Sequence, residues 1–526
     1  MSEIRYAIAV KGLSPVSGQQ ELVPGKNIIA PYLPIGELAS AKATVPVRLG
    51  EDGRIFMNGF QTWTYCPEYN RSDYTKDIGP IPEIAIRRNG LRSYGDAHFV
   101  HYPQQPGVTH GESYCYFRDG DHYRLFASLD ERPGYTLFRY DASLALLTVE
   151  RDCAGLHCGG EYHAFDLFYA EGSEQEVFDA WFAAMGISPR TTERIAGYSS
   201  WYNRYEDISQ QSILSDLEGC RQMLQPGDLF QIDDGWEPDV GDWLEPNWVK
   251  FPDGMKAAAD AIHAQGFRAG LWLAPFAAKK DSRIWKEHPD WFLQVDGKPW
   301  YAGVNWGGFY ALDIDKPEVV RYLERVFHRV LNEWGYDLVK LDFLYAAAPV
   351  GNGQETRGGR MVRAMELLRR LCGDKLILGC GVPLMPAFGL VDYCRIGCDV
   401  GLDWDGSRLM QLTHRERVST RQAISNAIFR RQLNGRAWLS DPDVFFLREE
   451  NLQLTKEQKL VLATANSIFG GVLLHSDDMS KWSDEARAIY RQLLKNRDAE
   501  NIRVFAGRGL RFAYDLDGQT HTVTVE

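Results

Sequence analysis

From about residue 196, short apolar runs alternate with helical patterns, and this rhythm constrains the fold of the chain more than any other feature. Strands are expected at 197–201, 229–233, 268–274, 338–343, 376–380, 393–397, 436–440 and 472–475. Helical periodicity lies between them at 212–223, 254–265, 317–333, 360–371, 416–431 and 457–468. Pro317 suits the first turn of its helix, with Asp315 as the expected cap. Eight strands alternating with helices imply a (β/α)₈ TIM barrel, in which chemistry gathers at the C-terminal ends of the strands. A longer insertion at 277–316, rich in Trp and Gly, separates the third and fourth strands.

The flanks read differently. The first 185 residues hold β-branched and aromatic runs broken by Gly, Pro and Asn-Gly, and few helical patterns precede Gln175. A helix is expected at 173–185 with Ser173 as its cap. After Lys481 a helix at 483–494 leads to strands at 502–506, 510–514 and 520–525. The expected fold class is multidomain α/β plus all-β. It comprises an N-terminal β-sandwich over 1–185, a barrel over 186–481 and a short C-terminal β domain over 482–526.

Composition excludes several partners. A formal net charge of −13 argues against nucleic acid and anionic membrane surfaces. No run of 18 apolar residues is present, and residues 1–20 lack a basic region followed by a long apolar stretch. Nine scattered cysteines suggest a reduced, cytoplasmic protein. The 12 histidines form no HxH or HExxH cluster, so neither a metal nor a cofactor is expected. The 15 tryptophans fit a large core, and they also fit sugar stacking.

Three carboxylates close or follow expected strands. Asp342 stands in Leu338-Val-Lys-Leu-Asp-Phe343, and Lys340 lies on its face of the strand. An ammonium there would keep Asp342 ionised, as a nucleophile requires. A structural Lys–Asp pair explains the motif equally well. Asp399 follows Cys394-Arg-Ile-Gly-Cys398 on a loop. An ionised Asp342 nearby would raise its pKa and suit a general acid, whereas a salt bridge to Arg395 is the plainer reading. Asp233-Asp234-Gly235-Trp236 could accept bonds from several sugar hydroxyls or simply form a turn. Trp272 could be pocket or core. Asp441, Asp443 and the Asp477-Asp478 pair read as turns as readily as supporting groups. Paired carboxylates on converging strands are what glycosidic cleavage needs.

Eight segments occur in one order: Ser199-Ser-Trp-Tyr202, Phe230-Gln-Ile-Asp-Asp-Gly-Trp236, Gly270-Leu-Trp-Leu-Ala-Pro-Phe276, His288-Pro-Asp-Trp291, Lys340-Leu-Asp-Phe343, Ile377-Leu-Gly-Cys-Gly381, Arg395-Ile-Gly-Cys-Asp399 and Leu439-Ser-Asp-Pro-Asp443. Over about 195–480 the chain resembles the short microbial α-galactosidases of glycoside hydrolase family 36. Asn58-Gly-Phe-Gln-Thr-Trp63 resembles that family's Trp-bearing loop. The resemblance implies Asp342 as nucleophile and Asp399 as acid/base. It further implies Asp233 and Asp234 on the O4 and O6 side of galactose, and Lys340, Trp272, Cys380, Arg395, Trp201 and Trp63 as other pocket residues. Cys380 is implied near the sugar O2, favouring galactose over N-acetylgalactosamine. Val400, where many relatives carry Thr, and the acidic Asp403-Trp-Asp405 depart from the pattern and put aglycone preference in doubt.

The expected reaction is retaining hydrolysis of terminal α-galactose from oligosaccharides, with the two carboxyl groups ~5–5.5 Å apart. The rivals are an α-galactosyl transferase, an α-N-acetylgalactosaminidase and a non-catalytic sugar-binding protein. The resemblance also implies a homo-oligomer, in which Trp63 serves its own pocket or a neighbour's.

Overall fold

The computed structural model describes residues 3–79, 81–408, 410–507 and 509–525. The N-terminal part holds two antiparallel sheets of seven and six strands. Their facing residues form one core: Ile4, Ile8, Val45 and Val149 from the first sheet meet Ile55, Phe117, Phe126 and Leu167 from the second. The period-2 alternation in strand Leu146–Arg151 gives that core its face.

The helix after these sheets, Glu174–Met185, begins with a capping box. Ser173 Oγ accepts from Glu176 N, and the Glu176 carboxylate accepts from Ser173 N at 2.9 Å. Its buried Trp181 packs on Phe388 of the barrel, joining the two parts. One helix of this part was not expected. Glu83–Arg88 opens a segment that crosses to the barrel, where Ser93 Oγ donates to Tyr301 O and His98 Nε2 bonds Pro349 O. Only six residues long, it has no side-chain cap and too few turns to show helical periodicity.

The central sheet is parallel and TIM-barrel-like. Strands Ile195–Ser199, Leu229–Ile232, Arg268–Leu273, Leu338–Leu341, Leu376–Gly379, Tyr393–Arg395 and Leu439–Asp441 pair in sequence order. The seventh position is then broken. Pro442 has no N–H for the ladder, and Asp443 takes a left-handed φ of 75°. Pairing resumes at Val444–Phe445, which lies beside Val472–His475, and that strand returns to Ile195–Ser199. Most strand residues are buried whichever way they point, which accounts for runs that are apolar rather than alternating.

Several expected boundaries are corrected. The seventh strand starts at Leu439, because Arg431–Leu433 form a 3-10 turn and Ala437 N donates to Leu433 O. The helix expected from 416 starts at Thr420, capped by Ser419, because 416–418 belong to the loop at the barrel mouth. Asp315 does not cap Pro317–His328, which has no side-chain cap; Asp315 instead pairs with Arg360 and Arg363. The 277–316 insertion folds into a three-stranded antiparallel sheet and a short hairpin. At the C-terminal end, helix Asp484–Asn496 leads into strands Glu500–Gly507, Gly509–Leu516 and Gln519–Thr524, with Phe512 against Phe469.

Candidate active site

A cavity of about 400 Å³ opens at the C-terminal ends of the parallel strands. Asp233, Asp234, Trp272, Lys340, Asp342, Asp399, Trp201 and Trp63 all line it. Those from the barrel, from Trp201 to Asp399, share one space because consecutive parallel strands all end on the same rim.

Asp342 directly follows Leu338–Leu341. Its Oδ2 accepts from Trp272 Nε1 at 3.2 Å and its Oδ1 from Phe343 N at 2.8 Å. Phe343 adopts a φ of 53°, so the chain turns sharply just past the carboxylate. Lys340 is not bonded to Asp342, contrary to the reading from their spacing. Its Nζ reaches Asp233 Oδ2 at 2.9 Å. Burial opposes its charge most strongly, but Asp233 and Asp342 together with Cys380 outweigh it and hold the lysine pKa above its usual value. Strand Leu229–Ile232, which Asp233 follows, is two strands away from Leu338–Leu341, so the pair bridges across the intervening strand. Gln231 Nε2 also donates to Asp233 Oδ2, at 2.7 Å.

Asp234 accepts from Trp306 Nε1 at 2.7 Å. Burial pushes the Asp234 carboxyl up to about 6. Glu237, buried beside it, is raised well above the carboxylate range by burial and by Asp234. Trp306 and Glu237 are the residues that sequence reasoning missed at this end. Trp306 lies in the insertion with a φ of 56°, and no periodicity signals such a position.

Asp399 lines the open side of the cavity, and its side chain is 40% exposed. That surface looks into a confined space, so desolvation dominates and pushes its pKa up to about 6. Asp342 contributes, but it is a minor influence beside burial and the opposing Arg395, which corrects the expected cause. Arg395 Nη1 donates to Asp399 Oδ1 at 2.8 Å, so the salt bridge is present. The same guanidinium meets Asp443 at 2.8 Å and Asp441 at 3.3 Å. One buried arginine therefore serves three carboxylates, and Asp441 and Asp443 anchor it rather than forming a simple turn. Arg395 and Cys380 are buried at the edge of the cavity, 3% and 1% exposed. Arg395 stands behind Asp399, and Cys380 stands behind Trp63, whose Nε1 donates to its sulfur at 3.4 Å. Asp477 is buried too, accepting from Leu447 N and Trp482 Nε1, away from the cavity.

Trp63 enters from the N-terminal part and lines the cavity of its own chain. Gly381 gives it room: a Cβ there would sit 2.9 Å from the indole and from Phe343 N, at a φ of 56°. Arg430 holds the loop. Fully buried, it donates to Asn58 Oδ1, Thr62 O, Gln61 O and Ile396 O at 2.7–3.1 Å. Arg430→Ala would leave those acceptors unpaired and loosen Trp63. The expected loss is at least ~3 kcal/mol of stability, together with a raised KM for a sugar substrate. Unfolding in urea and steady-state kinetics check both, and an unchanged midpoint with unchanged KM would contradict the clamp.

Among the described residues no group of three or more His, Cys, Asp or Glu is placed to hold a metal ion, and no helix is long and apolar enough to cross a membrane. A melibiase family model matches residues 191–366. The chain is 27% identical over 151 residues to the α-galactosidase Mel36A of Lactobacillus acidophilus, covering 27% of this chain and 20% of that protein. It is 35% identical over 135 residues to an A type blood α-D-galactosamine galactosaminidase of Flavonifractor plautii, covering 23% and 12%. The chain thus spans a fifth or less of the length of these two relatives. In the solved α-galactosidase TtGalA of Thermus thermophilus, in complex with p-nitrophenyl α-D-galactopyranoside, similarity extends over 99% of this chain and 96% of that one, at 28% identity and a TM-score of 0.76. The chain thus carries a melibiase domain over 191–366, and along nearly its whole length it is similar to a solved α-galactosidase.

Proposed function

We propose that this protein is a retaining α-galactosidase that removes terminal, non-reducing α-linked galactose from oligosaccharides. The observation that carries this reading is that Asp342 and Asp399 face one cavity whose inner end is closed by Asp233, Asp234, Lys340 and Trp306. Such a space takes one sugar ring, with hydrogen-bond acceptors at its closed end and an aromatic wall of Trp272, Trp63 and Trp201. The solved TtGalA has also been obtained with stachyose.

In the first displacement the Asp342 carboxylate attacks the anomeric carbon, and Asp399 donates its proton to the departing glycosidic oxygen. Trp272 and the Phe343 N–H hold the attacking oxygens in place. In the second step Asp399, now a base, takes a proton from water. The water attacks the β-linked glycosyl-enzyme and releases α-galactose. The raised pKa of Asp399 matches a group that must carry a proton first and accept one later.

The finer architecture belongs to the same proposal: a β-sandwich over 1–185, a closed (β/α)₈ barrel over 186–481 and a β domain over 482–526. Cytoplasmic residence is also proposed, supported by nine free thiols, eight of them buried. The Flavonifractor relative keeps N-acetylgalactosamine among the substrates to be tested. A panel of aryl α-glycosides on the purified protein decides. The galactoside should turn over at least ~100-fold faster than the N-acetylgalactosaminide or glucoside, about the 3 kcal/mol that a misplaced polar group costs. Equal or reversed preference would refute the galactose assignment. Product analysis with added acceptor sugar separates hydrolysis from transfer.

A further inference from the structure

The cavity changes character with depth. At its inner end Asp233, Asp234, Lys340 and Asp342 are 2–8% exposed, whereas Met410 and Val418 at the mouth are 44% and 49% exposed. The lining also holds a row of three side chains that the chemistry above does not use. Tyr94 Oη lies 3.1 Å from His414 Nε2. On the other side of the ring, Glu416 Oε2 lies 3.5 Å from Nδ1, and Glu416 Oε1 accepts from Thr64 Oγ1 at 2.9 Å. All three residues line the cavity.

The row is built from two distant parts of the chain. Tyr94 comes from the N-terminal segment that crosses to the barrel, and its carbonyl accepts from Gln61 Nε2 at 2.7 Å. His414 and Glu416 belong to the stretch between strand Tyr393–Arg395 and helix Thr420–Phe429, the same stretch that carries Asp399. Gly95 lets the two parts close: a Cβ there would meet the Glu416 carboxylate at 2.7–2.9 Å. This is a fixed arrangement rather than a pair of loose surface groups.

Its polarity follows from its ends. A carboxylate beside Nδ1 favours the tautomer protonated there, so Nε2 accepts the phenol proton of Tyr94. The phenol oxygen is left with lone pairs, which suit a hydroxyl donor. The inner end of the cavity is closed, so whatever is attached to the bound sugar must extend past Asp399 toward the mouth. There it meets this row.

We propose that Tyr94 and His414 form a binding site for the leaving group, and that the site takes a polyhydroxylated sugar in preference to a simple aryl aglycone. This rests on the galactosidase reading and specifies its substrate class. Glu416 acts as a positioning residue that fixes the imidazole.

The test compares kcat/KM for raffinose with kcat/KM for p-nitrophenyl α-D-galactopyranoside in the wild type, Tyr94→Phe and His414→Ala. Tyr94→Phe removes one oxygen and keeps the ring that packs near Tyr345. The ratio of raffinose to aryl galactoside is expected to fall about tenfold in each variant, the worth of one good hydrogen bond. It should fall no further in the double variant, because the two residues act as one unit. A ratio within twofold of wild type in both single variants would overturn the proposal, as would a full additive loss in the double variant. A wild-type protein that cleaves neither substrate would instead sink the galactosidase reading itself, and this inference with it.

Discussion

Replacing Asp342 with Asn or Ala is expected to abolish turnover of an aryl α-galactoside, by about 10⁴-fold or more in kcat. The reason is specific to its position. Asp342 is the carboxylate whose two oxygens are aimed by neighbouring N–H donors at the end of Leu338–Leu341, inside the closed half of the cavity. The two carboxylates at the same closed end cannot take its place: Asp233 is committed to Lys340 and Gln231, and Asp234 to Trp306 and Glu237. Azide offers a sharper readout. In Asp342→Ala the small anion enters the vacated space, attacks the substrate directly and yields β-galactosyl azide. The stereochemistry of that product, read by NMR, identifies the face on which the nucleophile stood. An α-configured azide, or near-wild-type turnover in Asp342→Asn, would remove the nucleophile assignment.

The Asp399→Asn substitution should show a different signature, because Asp399 acts in both steps. Loss of the proton donor is expected to lower kcat/KM for an oligosaccharide by about 10²–10⁴-fold. The effect on an aryl galactoside should be smaller, since a phenolate departs with little help. For the aryl substrate kcat and KM should fall together, as the glycosyl-enzyme waits for a base that is missing. The pH profile follows from the sign of the shift. Burial raises the Asp399 pKa to about 6, so the acid form needed for the first step is present below that pH and lost above it. In the wild type, kcat/KM for an oligosaccharide should decline on the alkaline side of pH ~6, and Asp399→Asn should lack that decline. An alkaline limb that persists unchanged in the variant would mean that another group supplies the proton.

Much of the site could be read from local pattern. Asp233 and Asp342 each follow a short apolar run, and a parallel strand buried on both faces writes itself as such a run. Ser173 as the helix cap was legible because a cap stands immediately before the helical pattern it closes. What escaped were contacts between segments with no periodicity of their own. Lys340 stands two residues from Asp342 on one strand, yet its ammonium belongs to Asp233, 107 positions earlier. The Arg395–Asp399 salt bridge was legible, but not that the same guanidinium also holds Asp441 and Asp443. Trp306 and Glu237, which share Asp234 between them, lie in irregular loops where neither helix nor strand spacing marks them.

The sequence by itself determined that strands and helices alternate through the middle of the chain and that acidic residues stand where those strands end. Hydrophobic periodicity is a property of near neighbours and needs no tertiary information. Only the tertiary structure decided which cation meets which carboxylate, and that Arg430 draws the Trp63 loop into the barrel. It also decided that Tyr94 reaches His414 across 320 positions. Those pairings depend on the paths of loops, and a loop's path is set by what it packs against rather than by its own spacing of apolar and polar residues.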